Sequence, residues 1–161
     1  MAQETVEFRK MIEDEFSHYL ESSLESYAQD RARNFKRPIE EERTVARQQV
    51  KNILKNGINT KGHFLFNVVA RETGDTVGYV WVYVDETTWK KKLAFLYDII
   101  IQERFRGRGY GRKTLELVEA KLREMNVASI GLHVFADNAV AINLYKTQGY
   151  YTASFNMQKD L

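Results

Sequence analysis

Residues 93–115 read LAFLYDIIIQERFRGRGYGRKTL, an apolar run followed directly by a basic, glycine-rich loop. The first nine of these residues carry one charged side chain, Asp98, and such a run is typical of a strand in the interior of a sheet. The next fourteen contain three glycines and four arginines. A flexible basic loop at the end of a buried strand predicts a binding site for an anion.

A helix is predicted to begin within this loop. Apolar side chains recur after it at spacings of four, three, four and three residues, which is the pattern of an amphipathic helix: Gly111, Leu115, Val118, Leu122 and Met125. The start of a helix presents unpaired backbone N–H groups, and glycines let a ligand approach that backbone closely. Arginine adds forked donors that match phosphate oxygens. Residues 106–111 are therefore predicted to form a cradle for a diphosphate.

Two familiar phosphate-binding motifs do not fit this loop. No Gly-Lys-Ser/Thr follows at the spacing that a P-loop requires. The preceding strand is predicted to end a meander instead of opening a βαβ unit, so a dinucleotide fingerprint is also unsuited. The remaining alternative is a basic loop that only turns the chain, although a turn needs neither three glycines nor four arginines.

The composition is that of an ordinary globular chain with one domain. The 161 residues are 43% hydrophobic and 29% charged, with a net charge of +2. We expect no membrane span and no secretory signal, hence a cytoplasmic protein without a membrane partner. The chain has no cysteine, which excludes disulfides and thiol chemistry, and its three separated histidines make a metal site unexpected. The small net charge argues against nucleic acid as a partner.

The periodicity along the chain predicts an α+β fold with a mixed, mostly antiparallel twisted sheet flanked by helices. Helices are expected at about 13–28 and from Pro38 to about Gly57, after a weakly indicated strand at 6–11. Strands, the loop helix and a second short helix should follow in the order strand 63–71, strand 76–86, strand 93–101, helix 111–125, strand 129–136, helix 137–149 and a strand-like end at 150–161.

Two motifs resemble those of the GCN5-related N-acetyltransferase (GNAT) superfamily. The loop IQERFRGRGYGRKTL is similar to that family's acetyl-coenzyme A pyrophosphate loop, with Arg106, Gly109 and Gly111 at its fixed positions. The later stretch NAVAINLYKTQGY resembles the family's second signature, through Asn138, Ala141, Leu144, Tyr145, Gly149 and Tyr150. The likeness covers about two-thirds of the chain, from residue 63 onward, and it implies the GNAT fold. The helices at about 13–57 then stand where the family varies with its acceptor.

The resemblance also implies roles for individual residues. The pantetheine arm of acetyl-CoA is expected along the strand at Ile99 and Ile101, with the Ile99 N–H polarising the thioester carbonyl. Tyr145 is expected to protonate the leaving thiolate. The remaining cofactor contacts implied by the family comprise the side chain of Arg106, the loop at Gly107, Arg108, Gly109, Tyr110, Gly111 and Arg112, and the amides of Asn138 and Asn143.

The general base is left open by the sequence. Asp98 lies on the strand before the loop, where many family members place a carboxylate, and strand alternation decides whether it faces the cleft. Tyr97 should then face the opposite side of the sheet. The alternatives are a structural Asp98 held by backbone amides or an arginine, and a water chain from a more distant acid. His133 could act on an amine, or it could simply pack on its strand.

The function predicted from the resemblance is acetyl-CoA-dependent transfer of an acetyl group to a primary amine, by direct attack in a ternary complex. Absence of cysteine agrees with direct attack because no acyl-cysteine can form. The alternatives are a CoA-binding regulatory module without turnover and, less suited to the charge, an RNA binder. The acceptor is undetermined: small amines, lysine side chains and peptide N-termini all fit. A homodimer is also allowed.

Overall fold

The computed structural model describes residues 5–86 and 91–161. In chain order the elements are β1 (Val6–Lys10), α1 (Glu13–Phe35), α2 (Ile39–Ile53), β2 (His63–Ala70), β3 (Thr76–Asp85), β4 (Lys92–Ile101), α3 (Tyr110–Glu124), β5 (Val127–Leu132) and α4 (Ala139–Thr147). The sheet order is β1-β2-β3-β4-β5, with β4 and β5 parallel and the other pairs antiparallel. The predicted α+β class is confirmed.

The sheet carries a core on each face. On one face α3 buries Leu115, Val118 and Leu122 against the valines of β2 and β3. On the other face α1 buries Phe16 and Tyr19 against Leu65 and Trp81. The side chains of β2 and β3 alternate between these two cores, as expected for strands covered on both faces. The candidate site lies on the α1 face of the sheet, beside β4.

Helix α1 is longer than the predicted 13–28 and continues to Phe35. The added turns are polar in sequence, but Ala28 is fully buried, as is Ala46 of the neighbouring α2, and Arg31 forms an ion pair with the buried Glu42. Tertiary packing thus extends the helix beyond its apolar pattern. It ends at Lys36, whose backbone is left-handed (φ 53°).

Helix α2 starts after Pro38, as predicted, and ends at Ile53, four residues before Gly57. The backbone at Gly57 begins a 3-10 turn instead of closing the helix. Strand β5 also ends early, at Leu132, so His133 lies beyond the strand and is exposed. The strand-like end expected at 150–161 is wrong: residues 150–161 belong to no strand.

A bulge in β4 changes which side chains face α1. Trp81 pairs with Asp98 while Val82 pairs with Leu96, so Tyr97 is an extra residue in the ladder. Tyr97 stacks on Trp81 with ring centroids 4.4 Å apart, and Asp98 hydrogen-bonds Tyr19 of α1. Both side chains therefore lie on the α1 face. The prediction that Tyr97 faces the opposite side is wrong because regular alternation breaks at the bulge.

Candidate functional site

Strands β4 and β5 separate towards the loop and leave an open edge between them. Their parallel pairing runs from Lys92 only as far as Leu96 opposite Leu132. Beyond that point, β4 has no strand on this side among the described residues. The Gln102 N–H donates to the Val77 carbonyl on β3, 2.9 Å away. Since successive N–H groups alternate in direction, those of Ile99 and Ile101 point to the open edge.

The glycine loop closes the end of this opening. Gly107 and Gly109 adopt positive φ angles of 74° and 83°, and Gly109 directly precedes α3. A Cβ built at either glycine would meet no atom within 4 Å, so both face unfilled space. The backbone N–H groups of the first helical turn are the ones that lack partners within a helix. A backbone with this shape can surround an anion, which is the kind of ligand that the sequence predicted here.

The loop arginines do not all face the cleft. Arg106 lines it, with its Nε donating to the Ile101 carbonyl at 2.9 Å. Arg108 lies over the Phe105 ring, and Arg112 forms an ion pair with Glu116 at 3.2 Å. In this arrangement the side chains of Arg108 and Arg112 are held outside the cleft lining. Their predicted contribution to cofactor binding would come through the loop backbone or through rearrangement of the side chains.

The cleft has a volume of about 840 Å³ and runs from the glycine loop along β4 to α1 and α2. Its lining contains ten of the thirteen residues that the sequence predicted for the site: Asp98, Ile99, Ile101, Arg106, Gly107, Gly109, Tyr110, Gly111, Asn138 and Tyr145. The space is large enough for a drug-sized ligand.

Helix α4 presents its two predicted asparagines differently. Asn138 caps the helix, its side-chain oxygen accepting from the Ala141 N–H at 3.1 Å, and it lines the cleft. Asn143 is exposed and does not belong to the cleft lining. A contact from Asn143 to a ligand would therefore require a ligand that extends beyond the cleft.

Tyr145 is a half-buried phenol on α4 that faces the cleft. Burial raises the pKa of Tyr145 to about 12, and the nearby charge of Asp98 acts in the same direction. Its ring lies 5.6 Å from that of Tyr150, whose hydroxyl donates to Glu119 at 3.2 Å. Tyr145 is therefore protonated at neutral pH and can donate a hydrogen bond there.

Asp98 is held by two hydroxyl groups from α1. The Tyr19 hydroxyl donates to Asp98 Oδ2 at 2.7 Å, and the Ser23 hydroxyl donates to the same atom at 2.9 Å. Burial raises the pKa of Asp98, while these two hydrogen bonds and one from the Ile99 N–H act in the opposite direction. A carboxylate with a raised pKa is a better base than one in water. The Ile99 N–H is thus shared between Asp98 and the open edge.

The partners of Asp98 and the link between α1 and the start of α4 are not predicted by the sequence. Tyr19 and Ser23 are four residues apart on one helical face, a spacing that could have marked them as a pair. Asp137 accepts from Arg33 Nε at 3.0 Å and from Asn34 Nδ2 at 2.9 Å. No local sequence pattern predicts these contacts between α1 and Asp137, because they join residues about a hundred positions apart.

The family comparison fits this geometry. The model of the acetyltransferase (GNAT) family matches residues 12–150. The chain belongs to the acetyltransferase (GNAT) family. Two relatives from Bacillus subtilis strain 168 are uncharacterized N-acetyltransferases: YdgE, 29% identical over 94% of this chain and 95% of its own, and YycN, 29% identical over 98% and 99%. These relatives support acetyl transfer as the general activity of this GNAT protein.

Further similarities agree with the GNAT assignment. The crystal structure of YycN superposes with a TM-score of 0.91 at 28% identity, covering 98% of this chain and 99% of that one. The thialysine N-epsilon-acetyltransferase of Bos taurus is 33% identical over 73 residues, 45% of this chain and 43% of its own.

Among the described residues, no helix has the length and the apolar composition that a membrane span requires.

Proposed function

We propose that this GNAT protein transfers an acetyl group from acetyl-CoA to a primary amine, by direct attack within a ternary complex. The observation that carries the proposal is that one cleft contains the glycine loop, the open edge of β4 and the Tyr145 phenol. These are an anion cradle, a row of backbone donors and an acid. The family membership makes acetyl-CoA the natural ligand for that combination.

The cofactor is proposed to lie along the open edge of β4. The loop backbone from Gly107 to Arg112 would hold its diphosphate, assisted by Arg106, because the unfilled space in front of Gly107 and Gly109 lets phosphate oxygens reach the amides. The pantetheine arm would pair with Ile99 and Ile101 as an added strand would. Donors at the edge then fix the thioester next to Asp98.

Asp98 is proposed as the general base. An amine must lose a proton as it attacks the carbonyl carbon, and a partly buried carboxylate with a raised pKa can accept that proton. Tyr19 and Ser23 hold the carboxylate in position and keep it from rotating. The Ile99 N–H, which points to the open edge, would stabilise the negative charge that develops on the carbonyl oxygen.

Tyr145 is proposed to stabilise the leaving sulfur. A thiol has an ordinary pKa of about 8.5, and the pKa of Tyr145 is about 12, so complete transfer of the phenol proton would be uphill by about 3.5 pH units, or about 5 kcal/mol. A hydrogen bond from the phenol to the departing thiolate carries no such cost. The thiolate can then take its proton from solvent. In this proposal Tyr145 stabilises the thiolate by a hydrogen bond, whereas the sequence analysis expected it to transfer its proton.

The acceptor is proposed to enter from the α1 and α2 side. That end of the cleft is lined mainly by apolar and aromatic side chains: Leu20, Leu24, Val50, Ile53, Trp81 and Tyr97. The described carboxylates in the lining are Asp30 and Asp98. Such a pocket favours an amine with an apolar body over a polyamine, because each further buried ammonium group would need its own carboxylate.

The experiment is a CoA-release assay over phenylethylamine, hexylamine, lysine and spermidine, combined with thermal unfolding in the presence of acetyl-CoA. Binding at 100 times the dissociation constant should stabilise the folded protein by about 2.7 kcal/mol. Stabilisation with CoA release supports the proposal. Stabilisation without release from any amine or protein acceptor favours the non-catalytic CoA-binding module. If acetyl-CoA neither stabilises the protein nor is turned over, acetyl-CoA is not its ligand.

A further inference from the structure

One oxygen of the Asp98 carboxylate, Oδ2, is covered by side chains of α1. It accepts the Tyr19 hydroxyl at 2.7 Å and the Ser23 hydroxyl at 2.9 Å. A carboxylate oxygen has two lone pairs, so these two hydrogen bonds occupy both of them. An amine that enters from the α1 and α2 side therefore meets an oxygen whose acceptor positions are taken. In this arrangement a proton reaches Oδ2 through one of the two hydroxyls.

The Tyr19 hydroxyl is closed off from the cleft. Tyr19 is 2% exposed and belongs to the apolar cluster beneath α1, where its ring centroid lies 5.5 Å from that of Tyr79. It does not belong to the cleft lining. Burial raises the pKa of the Tyr19 phenol well above its usual range, and the charge of Asp98 acts in the same direction. Tyr19 can therefore hold the carboxylate, but an acceptor does not reach it.

The Ser23 hydroxyl connects the carboxylate with the cleft. Ser23 is half-buried and lines the cleft together with Asp98. A serine hydroxyl donates one hydrogen bond and can accept two. While its proton is directed at Asp98 Oδ2, the Ser23 oxygen can thus accept a hydrogen bond from an amine in the cleft. It is the one hydroxyl of the pair that can touch both the carboxylate and the acceptor.

We propose that Ser23 relays the proton of the attacking amine to Asp98. This inference rests on the proposed function and adds a catalytic residue to it. As the nitrogen attacks the thioester, an N–C bond forms and one amine proton passes to Ser23 Oγ, while the Ser23 proton passes to Asp98 Oδ2. The C–S bond then breaks, and its electron pair leaves with the CoA sulfur. Ser23 ends as a neutral hydroxyl, and Asp98 returns its proton to solvent.

Direct transfer from the amine to Asp98 is the alternative, and it gives Ser23 a different role. In that case Ser23 only fixes the carboxylate, and any hydrogen-bond donor of suitable size could replace it. A relay needs more, because one atom must accept a proton and donate another in the same step. A hydroxyl does both, whereas the N–H₂ group of an amide side chain only donates. The two roles therefore respond differently to substitution.

The first experiment compares Ser23→Thr with Ser23→Val in the CoA-release assay. The two new side chains are both β-branched and differ chiefly by the hydroxyl, and valine leaves no space for a water molecule to replace it. The threonine variant should keep kcat within about threefold of the wild type. The valine variant should lose about 100-fold in kcat, the lower end of what general base catalysis contributes. The KM for acetyl-CoA should change less than about threefold in both.

Ser26→Val is the matched control. Ser26 lines the same cleft three residues further along α1. Among the described residues, the hydroxyls that donate to Asp98 are those of Tyr19 and Ser23, so Ser26 has no part in the relay. The control should keep kcat within about threefold. A loss in Ser26→Val as large as that in Ser23→Val would refute the relay, because it would show a general effect of valine in this part of the cleft.

The second experiment separates relay from positioning. The amide of Ser23→Asn can donate to Asp98 Oδ2 but cannot pass a proton on, so its kcat should fall as far as that of Ser23→Val. Turnover by the asparagine variant equal to that of Ser23→Thr would show that Ser23 only positions Asp98. Thermal unfolding establishes that each variant is folded. If the asparagine variant does not fold, the wild type decides the question through its rate in mixtures of H₂O and D₂O.

That rate, measured as kcat/KM for a slow acceptor, should fall along a curve as the share of D₂O rises, because two protons move in one step. A straight line would mean that one proton moves, and the relay would be wrong. Wild-type turnover with equal kcat for the threonine and valine variants would also refute the relay and leave acetyl transfer in place. A wild type that binds acetyl-CoA and acetylates no amine would refute the proposed function, and the relay with it.

Discussion

Replacing Tyr145 with phenylalanine removes one oxygen atom and leaves the ring in place. No hydrogen bond from the Tyr145 hydroxyl to another described residue contributes to the fold, so the variant should keep the stability of the wild type to within about 0.5 kcal/mol. The loss should therefore be confined to the reaction. It provides a direct measure of what the phenol does for the leaving sulfur.

The pKa decides how large the loss should be. With the pKa of Tyr145 at about 12, the phenol would be a hydrogen-bond donor to the proposed leaving thiolate and a poor source of a fully transferred proton. A hydrogen bond to a charged group is worth about 1.5–3 kcal/mol. This corresponds to a fall in kcat of about 10-fold to 160-fold. Full general acid catalysis would extend the loss towards 10⁴-fold.

The assay compares steady-state CoA release by Tyr145→Phe and Tyr150→Phe. Tyr150 is the matched control, since its ring lies 5.6 Å from that of Tyr145 while its hydroxyl is engaged by Glu119. The Tyr145 variant should lose kcat while its KM for acetyl-CoA changes less than threefold, and the control should keep its kcat. Normal turnover by Tyr145→Phe would remove the phenol from the mechanism. Equal losses in both variants would show that the effect is not specific to the Tyr145 hydroxyl.

Three further outcomes are expected. Gly109→Asp should weaken acetyl-CoA binding in calorimetry at least tenfold more than the neutral Gly109→Asn, because both side chains tolerate the positive φ and only one repels phosphate. Tyr19→Phe should move the acid limb of the kcat/KM profile to higher pH: it removes a hydrogen bond that favours ionised Asp98, so the pKa of that carboxyl rises and activity returns only at higher pH. Gly78→Ala should lower the free energy of unfolding by about 1–3 kcal/mol, because its Cβ would lie 2.1 Å from the Ile100 carbonyl oxygen, whereas Gly131→Ala, with 3.8 Å of clearance, should cost less.

Each of these outcomes can fail in a distinct way. Equal binding by the Asp and Asn variants at position 109 would place the diphosphate elsewhere. An unchanged acid limb in Tyr19→Phe would show that Asp98 is not the group that titrates. Wild-type stability of Gly78→Ala would mean that β3 and β4 can move apart at that point.

The glycine-loop end of the cleft could be predicted from the sequence because its information is local. A buried strand, a glycine loop and a helix start follow one another between Leu93 and Leu115, and each has its own pattern of spacing or composition. The same holds for the signature around Tyr145. Neighbouring positions in the chain remain neighbours in the fold, so the pattern and the geometry coincide.

The end of the cleft beside α1 and α2 could not be predicted in this way. The hydroxyls that hold Asp98 come from Tyr19 and Ser23, more than seventy residues earlier in the chain. Regular alternation also fails at Tyr97, where one extra residue turns two successive side chains to the same face. Nor does the last turn of α1 carry an apolar pattern, since Arg33 and Asn34 reach Asp137 through polar contacts. Long-range partners and ladder irregularities leave no periodic mark in a sequence.

The bulge at Tyr97 also restricts how this site can change over evolution. Before Tyr97 the side chains of β4 alternate regularly between the two faces of the sheet, and after this extra residue the same alternation is shifted by one position. Loss or gain of a single residue within β4 would reverse the downstream phase and exchange the environments of Asp98 and Ile99. Length variation between related chains should therefore be absent from β4 and should gather in the turns at either end of it. Away from Tyr19 and Ser23, whose hydroxyls hold Asp98, the outward positions of α1 and α2 can then diversify without disturbing this site.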